Sequence, residues 1–325
     1  MSTREPASRT RRNALPLVAA PRLVPAAGYR ATLRSVLVGP SVAPRIMHSP
    51  KILVLDSGVG GLTVFREVVR ARPDAGFVYV MDDALFPYGK APEGELIDHI
   101  VAVMDDFVAA HQPDLAVIAC NTASTLVLPA LRQRFTLPFV GTVPAIKPAC
   151  AASQSKRISV LGTEATVARE YTHALIRSFG RGCDVTLVGS GRLAALAEAA
   201  LAGDAIDDEA IRAEIAPCFI ADGSERTDTI VLACTHFPLL LAHFERLAPW
   251  PVRWIDPAPA IARRVVDLVG PAVGKPTETP AQAIFTSGRM ASADLAAALG
   301  QFGLSAAEFA PSRAPGSFDT PSVSA

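Results

Sequence analysis

The sequence predicts an α/β protein built from two similar units, each a mostly parallel sheet covered by helices. Three observations lead there. Apolar runs of strand length, such as KILVLD, FVYVM, ISVLG and VTLVG, alternate with longer helical patterns. One stretch occurs twice: residues 114–121 read DLAVIACN and residues 228–235 read DTIVLACT. The chain of 325 residues, half of them hydrophobic, is long enough to bury the cores of two domains.

Composition narrows the function. A formal net charge of zero gives no overall pull toward nucleic acid or an anionic membrane. No apolar run approaches the length needed to span a bilayer. The five cysteines are widely and irregularly spaced, with no CxxC pair, which argues against a disulfide framework and a structural zinc site. A reduced, cytosolic compartment fits this usage.

Residues 1–50 are rich in Arg, Ala and Pro, and Glu5 is their only acid. An Arg-rich, acid-poor segment can be a transit peptide. The simpler reading is a disordered extension, or a start upstream of Met47, because the segment holds too little apolar surface to order itself. Order is expected from about Lys51. KILVLDSGVGGLTVFREVV then reads as a buried strand, a Gly-rich turn and a helix. The glycines follow neither the dinucleotide nor the P-loop spacing, so Gly58, Gly60 and Gly61 are expected to serve turn geometry. Asp56 and Ser57 sit at the strand end, where open α/β sheets bind ligands. The simpler role for Asp56 is a cap or loop hydrogen bond. FVYVM is a second strand. DDALFPYG is a loop, broken by Pro87 and Gly89, in which Tyr88 and Gly89 can meet a ligand or merely pack. A helix over 93–111 leads to the first cysteine strand. FVGTVPAIKPA reads as a strand and a linker, with a domain boundary near residues 146–147.

The pattern then repeats. RISVLGTEATVAREYTHALIRSF is strand, turn and helix. VTLVGS is a strand, LAALAEAALAGD a helix containing Glu198, and residues 207–221 look helical. After the second cysteine strand, VRWIDPAPAIARRVVDLV supplies a strand and a helix, so residues 256–300 are expected to rejoin the first domain (51–146) while 147–255 form the second. AQAIFTSG reads as a late strand and 292–300 as a short helix. The Ser/Pro-rich tail, 312–325, is expected to be disordered.

A cysteine ending a buried strand is usually a small hydrophobe. That reading applies to Cys150, Cys183 and Cys218. Duplication separates Cys120 and Cys234 from them. Each is followed by polar residues, Asn121-Thr122 and Thr235-His236, and then by a helical pattern whose N-terminus should lower the thiol pKa. His236 can exchange a proton with Cys234. Capping roles for Thr122, Thr235 and His236 are the plainer alternative. Three chemistries are open. A Cys–His hydrolase needs only one cysteine. A metal site from Cys120, Cys234 and His236 lacks a further ligand. A two-base proton exchange needs two equivalent groups on opposite faces of one carbon, as two matched thiols would supply.

With DSGVGGLTV, FPYG, CNTAS and ACTHFPLL in this order, the chain closely resembles the glutamate racemases of the aspartate/glutamate racemase superfamily, from about Lys51 to Val269. The resemblance implies two pseudo-symmetric α/β domains with the site in the cleft between them. It implies interconversion of L- and D-glutamate without cofactor or metal, D-glutamate going into peptidoglycan, and a homodimer. Cys120 resembles the thiolate that deprotonates D-glutamate, with Asp56 assisting. Cys234 resembles the one that deprotonates L-glutamate, assisted by His236. Asp56-Ser57, Tyr88-Gly89, Asn121-Thr122 and Thr235-His236 match the substrate contacts, and Thr163 and Glu198 match further site positions. The loop before FPYG departs from the family: it reads MDDAL where many members have Gly-Asp-Thr-Ala-Arg. Aspartate or another acidic amino acid is the alternative substrate, and a catalytically silent binding protein on the same fold the alternative class.

Overall fold

A computed structural model of the chain describes residues 48–223 and 225–307. The expectations for the N-terminal extension up to Met47 and for the tail from Ser312 lie outside the described residues. Order begins slightly before Lys51: Pro50 is buried and its carbonyl accepts the Gly76 N–H at 2.9 Å.

The elements of the first half are β1 (Lys51–Asp56), α1 (Leu62–Ala71), β2 (Gly76–Met81), α2 (Glu93–His111), β3 (Leu115–Ile118), α3 (Asn121–Arg134) and β4 (Phe139–Gly141). The second half runs α4 (Ile146–Ala152), β5 (Arg157–Thr163), α5 (Glu164–Ala168), α6 (Glu170–Phe179), β6 (Asp184–Ser190), α7 (Leu193–Leu201) and α8 (Asp208–Ile215). A small hairpin, β7 (Ala221–Asp222) and β8 (Glu225–Arg226), precedes β9 (Thr229–Ala233), α9 (Leu241–Leu247) and β10 (Arg253–Ile255). The chain closes with α10 (Ala258–Val269), β11 (Ala281–Phe285), α11 (Ala293–Gln301) and β12 (Leu304–Ala307).

Two parallel sheets result. The first has order β12-β11-β2-β1-β3-β4 and the second β10-β9-β5-β6. Read from the other edge, the second is β6-β5-β9-β10, the same arrangement as β2-β1-β3-β4. The repeat seen in sequence is thus a repeat of topology, and β11 and β12 extend only the first copy. Alternation along the strands sets the layers. Ile52 and Val54 pack with Leu62, Phe65 and Val265 on one face, while Leu53 and Leu55 pack with Leu96, Ile100 and Leu128 on the other. Burial on both faces is why these strands are almost wholly apolar. A third core, including Leu161, Ile230, Leu232, Phe237 and Phe244, serves the second sheet.

Local chemistry explains the boundaries. Helix α2 buries Leu96, Ile100, Met104 and Phe107 on one stripe, carries Glu93 and Glu95 in its first turn, and ends at Gln112 in the left-handed region, φ 47°. The leading aspartates of the repeat are staples at the amino ends of the sheets. Asp114 accepts the Lys51 N–H at 2.8 Å, and Asp228 accepts the N–H groups of Gln154 and Ser155 and the Ser153 hydroxyl at 2.7–2.8 Å. Arg72 is fully buried. It forks onto Asp74 and also donates to the carbonyls of Val269 and Gly270, tying the end of α10 to the first sheet.

Some expectations differ from the structure. The linker after β4 already contains α4. The helix expected over 207–221 stops at Ile215 and gives way to a short 3-10 turn and the hairpin. Residues after Cys234 form a 3-10 turn at Phe237–Leu240, with Pro238 in its first positions, before α9.

Candidate active site

The register of the sheets makes the two cysteines equivalent. Leu55 pairs with Ile118 across β1 and β3, and Leu161 with Leu232 across β5 and β9. Cys120 and Cys234 each lie two residues beyond those partners, at the carboxyl ends of their sheets. By the same register Ser57 corresponds to Thr163, and Asp56 to Gly162. The second unit therefore has no carboxylate where the first has Asp56.

Around Cys120, the Ser57 hydroxyl donates to Sγ at 3.8 Å. Asp56 is fully buried, with Oδ2 accepting the Gly58 N–H at 3.0 Å and Oδ1 the Thr235 hydroxyl at 3.4 Å. It thus has the loop-holding role and also touches the second unit. Around Cys234, Sγ lies 3.8 Å from His236 Nδ1, and Glu198 Oε1 lies 2.8 Å from His236 Nε2. The same Glu198 oxygen accepts the Val59 N–H at 2.8 Å, so it ties the first unit's Gly-rich turn to the second unit's histidine. Thr122, Thr163 and Thr166 share hydroxyl bonds of 2.8–3.1 Å between α3 and α5. Thr63 donates to the Thr235 carbonyl at 3.1 Å. Phe86 packs against the His236 ring, centroids 6.0 Å apart, and Gly89 lies against Ala165. Of the polar residues expected at the site, Ser57 meets Cys120, Asp56 meets Thr235, His236 meets Cys234 and Glu198, and Thr122 meets Thr163, while Tyr88 bonds Asp82 and Asn121 follows Cys120. Both amide atoms of Asn121 are buried without a hydrogen-bond partner, a state that is unfavourable unless a ligand engages them.

The electrostatics correct one expectation. The helix N-terminus is outweighed at the Cys120 thiol. Burial, then the charge of Asp56, pushes it up to about 12, against smaller opposing bonds from the Ala123 N–H and Ser57. Burial also raises Asp56, despite the neighbouring His236. Burial alone would lower His236, but its bonds to Cys234 and Glu198 outweigh that and hold the imidazole well above its usual value.

The glycines are a second correction. Gly58, Gly60 and Gly61 are not in the left-handed region. They are needed for close approach. A Cβ on Gly60 would lie 2.3 Å from His236 Nδ1, one on Gly58 would lie 2.2 Å from Glu198 Oε1, and one on Gly61 would lie 2.6 Å from the Tyr79 hydroxyl. The missing side chains of Gly58 and Gly60 make room for the other unit's Glu198 and His236, and that of Gly61 for Asp56 and Tyr79 of its own unit.

Sequence reasoning missed Asp82. This fully buried residue follows β2 and bonds Tyr88, His99 and Thr286. An acidic pair directly after an apolar strand was the available signal, but one of its partners lies 204 residues away. Among the described residues, no group of three or more His, Cys, Asp or Glu is arranged to hold a metal ion, and no helix is long and apolar enough to cross a membrane.

Paired half-sites with a cysteine at the carboxyl end of each sheet define a class of protein, and residues 52–265 match the Asp/Glu/Hydantoin racemase family, to which this chain belongs. Within it, the chain is 57% identical over 232 residues to the glutamate racemase of Brucella anthropi, covering 71% of this chain and 84% of that one. It is 53% identical over 245 residues to the glutamate racemase of Mesorhizobium japonicum, covering 75% and 94%. The structure is similar to that of Escherichia coli glutamate racemase in complex with L-glutamate and the activator UDP-MurNAc-ala, with a TM-score of 0.73, 37% identity, and coverage of 81% of this chain and 97% of that one.

Proposed function

We propose that this chain is a glutamate racemase. It interconverts L- and D-glutamate in the cytoplasm, without a cofactor, and supplies D-glutamate for peptidoglycan; a homodimer is the expected assembly. The observation that carries this reading is the register equivalence of Cys120 and Cys234, each with its own proton partner, around one buried region. A single-base enzyme has no use for the second thiol.

In the L-to-D direction the Cys234–His236 pair takes the α-proton. The Cα–H bond breaks, its electrons pass into the α-carboxylate, and Cys120 delivers its S–H proton to the opposite face. Cys120 suits this role, since burial keeps it a thiol near neutral pH. In the reverse direction Cys120 is the base, and Asp56 assists. The substrate's ammonium then offsets the negative charge that burial opposes. The carbanion-like transition state is stabilised by preorganised donors in a water-poor site, including Ser57, Asn121, Thr122 and Thr235.

The test incubates purified protein with L-glutamate in deuterated water, with aspartate in parallel. The expected result is decay of the circular dichroism signal to zero with deuterium at Cα, faster for glutamate. Cys120→Ser and Cys234→Ser should each lower kcat/KM by at least about a hundredfold. The loss must be equal in both directions, because enantiomers have equal free energy. Absence of optical change and of deuterium uptake would sink the reading, and full activity in either serine variant would exclude the two-thiol scheme.

A further inference from the structure

We propose that Asp82 is a positioning residue of this site, acting through Tyr88; this rests on the racemase reading above and on Tyr88 contacting the substrate. Strands β2 and β11 are paired in parallel with Met81 opposite Phe285, so the next residues, Asp82 and Thr286, emerge side by side at the ligand end of the first sheet. Three donors from three separate segments converge on the Asp82 carboxylate. Tyr88 Oη donates to Oδ2 at 2.5 Å, His99 Nε2 of α2 donates to the same oxygen at 2.7 Å, and Thr286 Oγ1 donates to Oδ1 at 2.6 Å. The Asp82 N–H in turn donates to the Asp56 carbonyl at 2.8 Å, joining this cluster to the strand end that carries Asp56.

The adjacent acid anchors the root of the same loop. Asp83 accepts the Ser287 N–H at 3.0 Å, the Ser287 hydroxyl at 2.6 Å and Arg289 Nε at 2.5 Å. Asp83 stands where the family pattern has Thr, and this departure is matched, in this chain, by Ser287 and Arg289 of the turn at residues 286–289.

The hydrogen-bond direction has a chemical consequence. Tyr88 has one hydroxyl proton, and its hydrogen bond to Asp82 uses it. The Tyr88 oxygen, buried and within electrostatic reach of Cys120 and Asp56, then offers only lone pairs to the cleft. It can accept from an ammonium N–H and repels a carboxylate. Asp82 thereby sets which end of an amino acid faces Tyr88, and does so without touching the substrate. His99 completes the arrangement from the half-exposed side, its side chain 29% exposed.

A double-mutant cycle tests this on the full chain with L- and D-glutamate. Asp82→Asn and Tyr88→Phe should each raise KM about tenfold with little change in kcat, the pattern for a contact made equally in the ground and transition states. The double variant should be no worse than about twofold beyond the poorer single, because one path is lost only once. His99→Ala should share part of the KM rise, and His99→Gln, which keeps an N–H near the Nε2 position, should restore it. If Asp82→Asn does not fold, the His99 pair carried through the same cycle with Tyr88→Phe decides. A double variant near the hundredfold product of the singles, or a loss in kcat alone, overturns the proposal while leaving the racemase reading intact. An inactive wild-type enzyme overturns that reading, and the role of Asp82 with it.

Discussion

Replacing Gly60 by alanine perturbs the site through a single methyl group. The added Cβ would stand 2.3 Å from His236 Nδ1 and 2.6–2.7 Å from two ring carbons. Restoring an ordinary contact of 3.4 Å requires a relative movement of 1.1 Å. The ring has little freedom to yield: it is buried, bonded to Glu198 on Nε2, and covered by Phe86. The chain at Gly60 is equally confined, since its carbonyl accepts from Thr63 at 3.0 Å. Displacing a reacting group by about 1 Å costs on the order of a hundredfold in rate. Overpacking should also destabilise the fold by about 1–3 kcal/mol. The assay is the polarimetric rate in both directions, with thermal unfolding alongside. Gly94→Ala is the control, because a Cβ there meets nothing within 4 Å and the site lies in a helix. Wild-type kcat/KM and melting temperature in Gly60→Ala would refute the argument that the glycine exists to admit His236.

Two other outcomes concern charge. Glu198→Gln turns a charged acceptor into a neutral one and so weakens a bond that helps hold His236 above its usual pKa; the alkaline limb of kcat/KM should move to lower pH. A raised histidine pKa contributes stability that is complete below about pH 6.5 and fades as pH rises through the folded value. The stability gap between wild type and Glu198→Gln should therefore shrink on the alkaline side; a gap constant with pH would contradict this. Asp228 has the opposite sign. Its bonds to Ser153, Ser155, Thr229 and Gln154 outweigh burial and lower its pKa to about 2. Its contribution is present above about pH 4 and lost as pH falls through about 2. Asp228→Asn should cost about 1–2 kcal/mol at neutral pH by urea unfolding, after allowing for solvent screening of this partly exposed group, and the cost should shrink as pH falls from about 4 through about 2.

Much of this protein is legible in the linear chain. Strand-length apolar runs, the duplicated cysteine stretch and the polar residues beside each thiol are local features. They predict the parallel sheets, the equivalence of Cys120 and Cys234, and most of the residues around them. What escapes is whatever depends on segments remote in sequence. Gly60 reads as a turn residue until His236 is seen packed against it. Asp82 reads as loop acid until Tyr88, His99 and Thr286 converge on it. Cys120, at a helix start, reads as an activated thiol, yet burial reverses the sign. Covalent neighbours determine strand, helix and candidate chemistry, because those follow from short-range sterics and periodic burial. Only the tertiary structure decides protonation and close approach, because desolvation and partner charges come from whatever the rest of the chain packs around a residue.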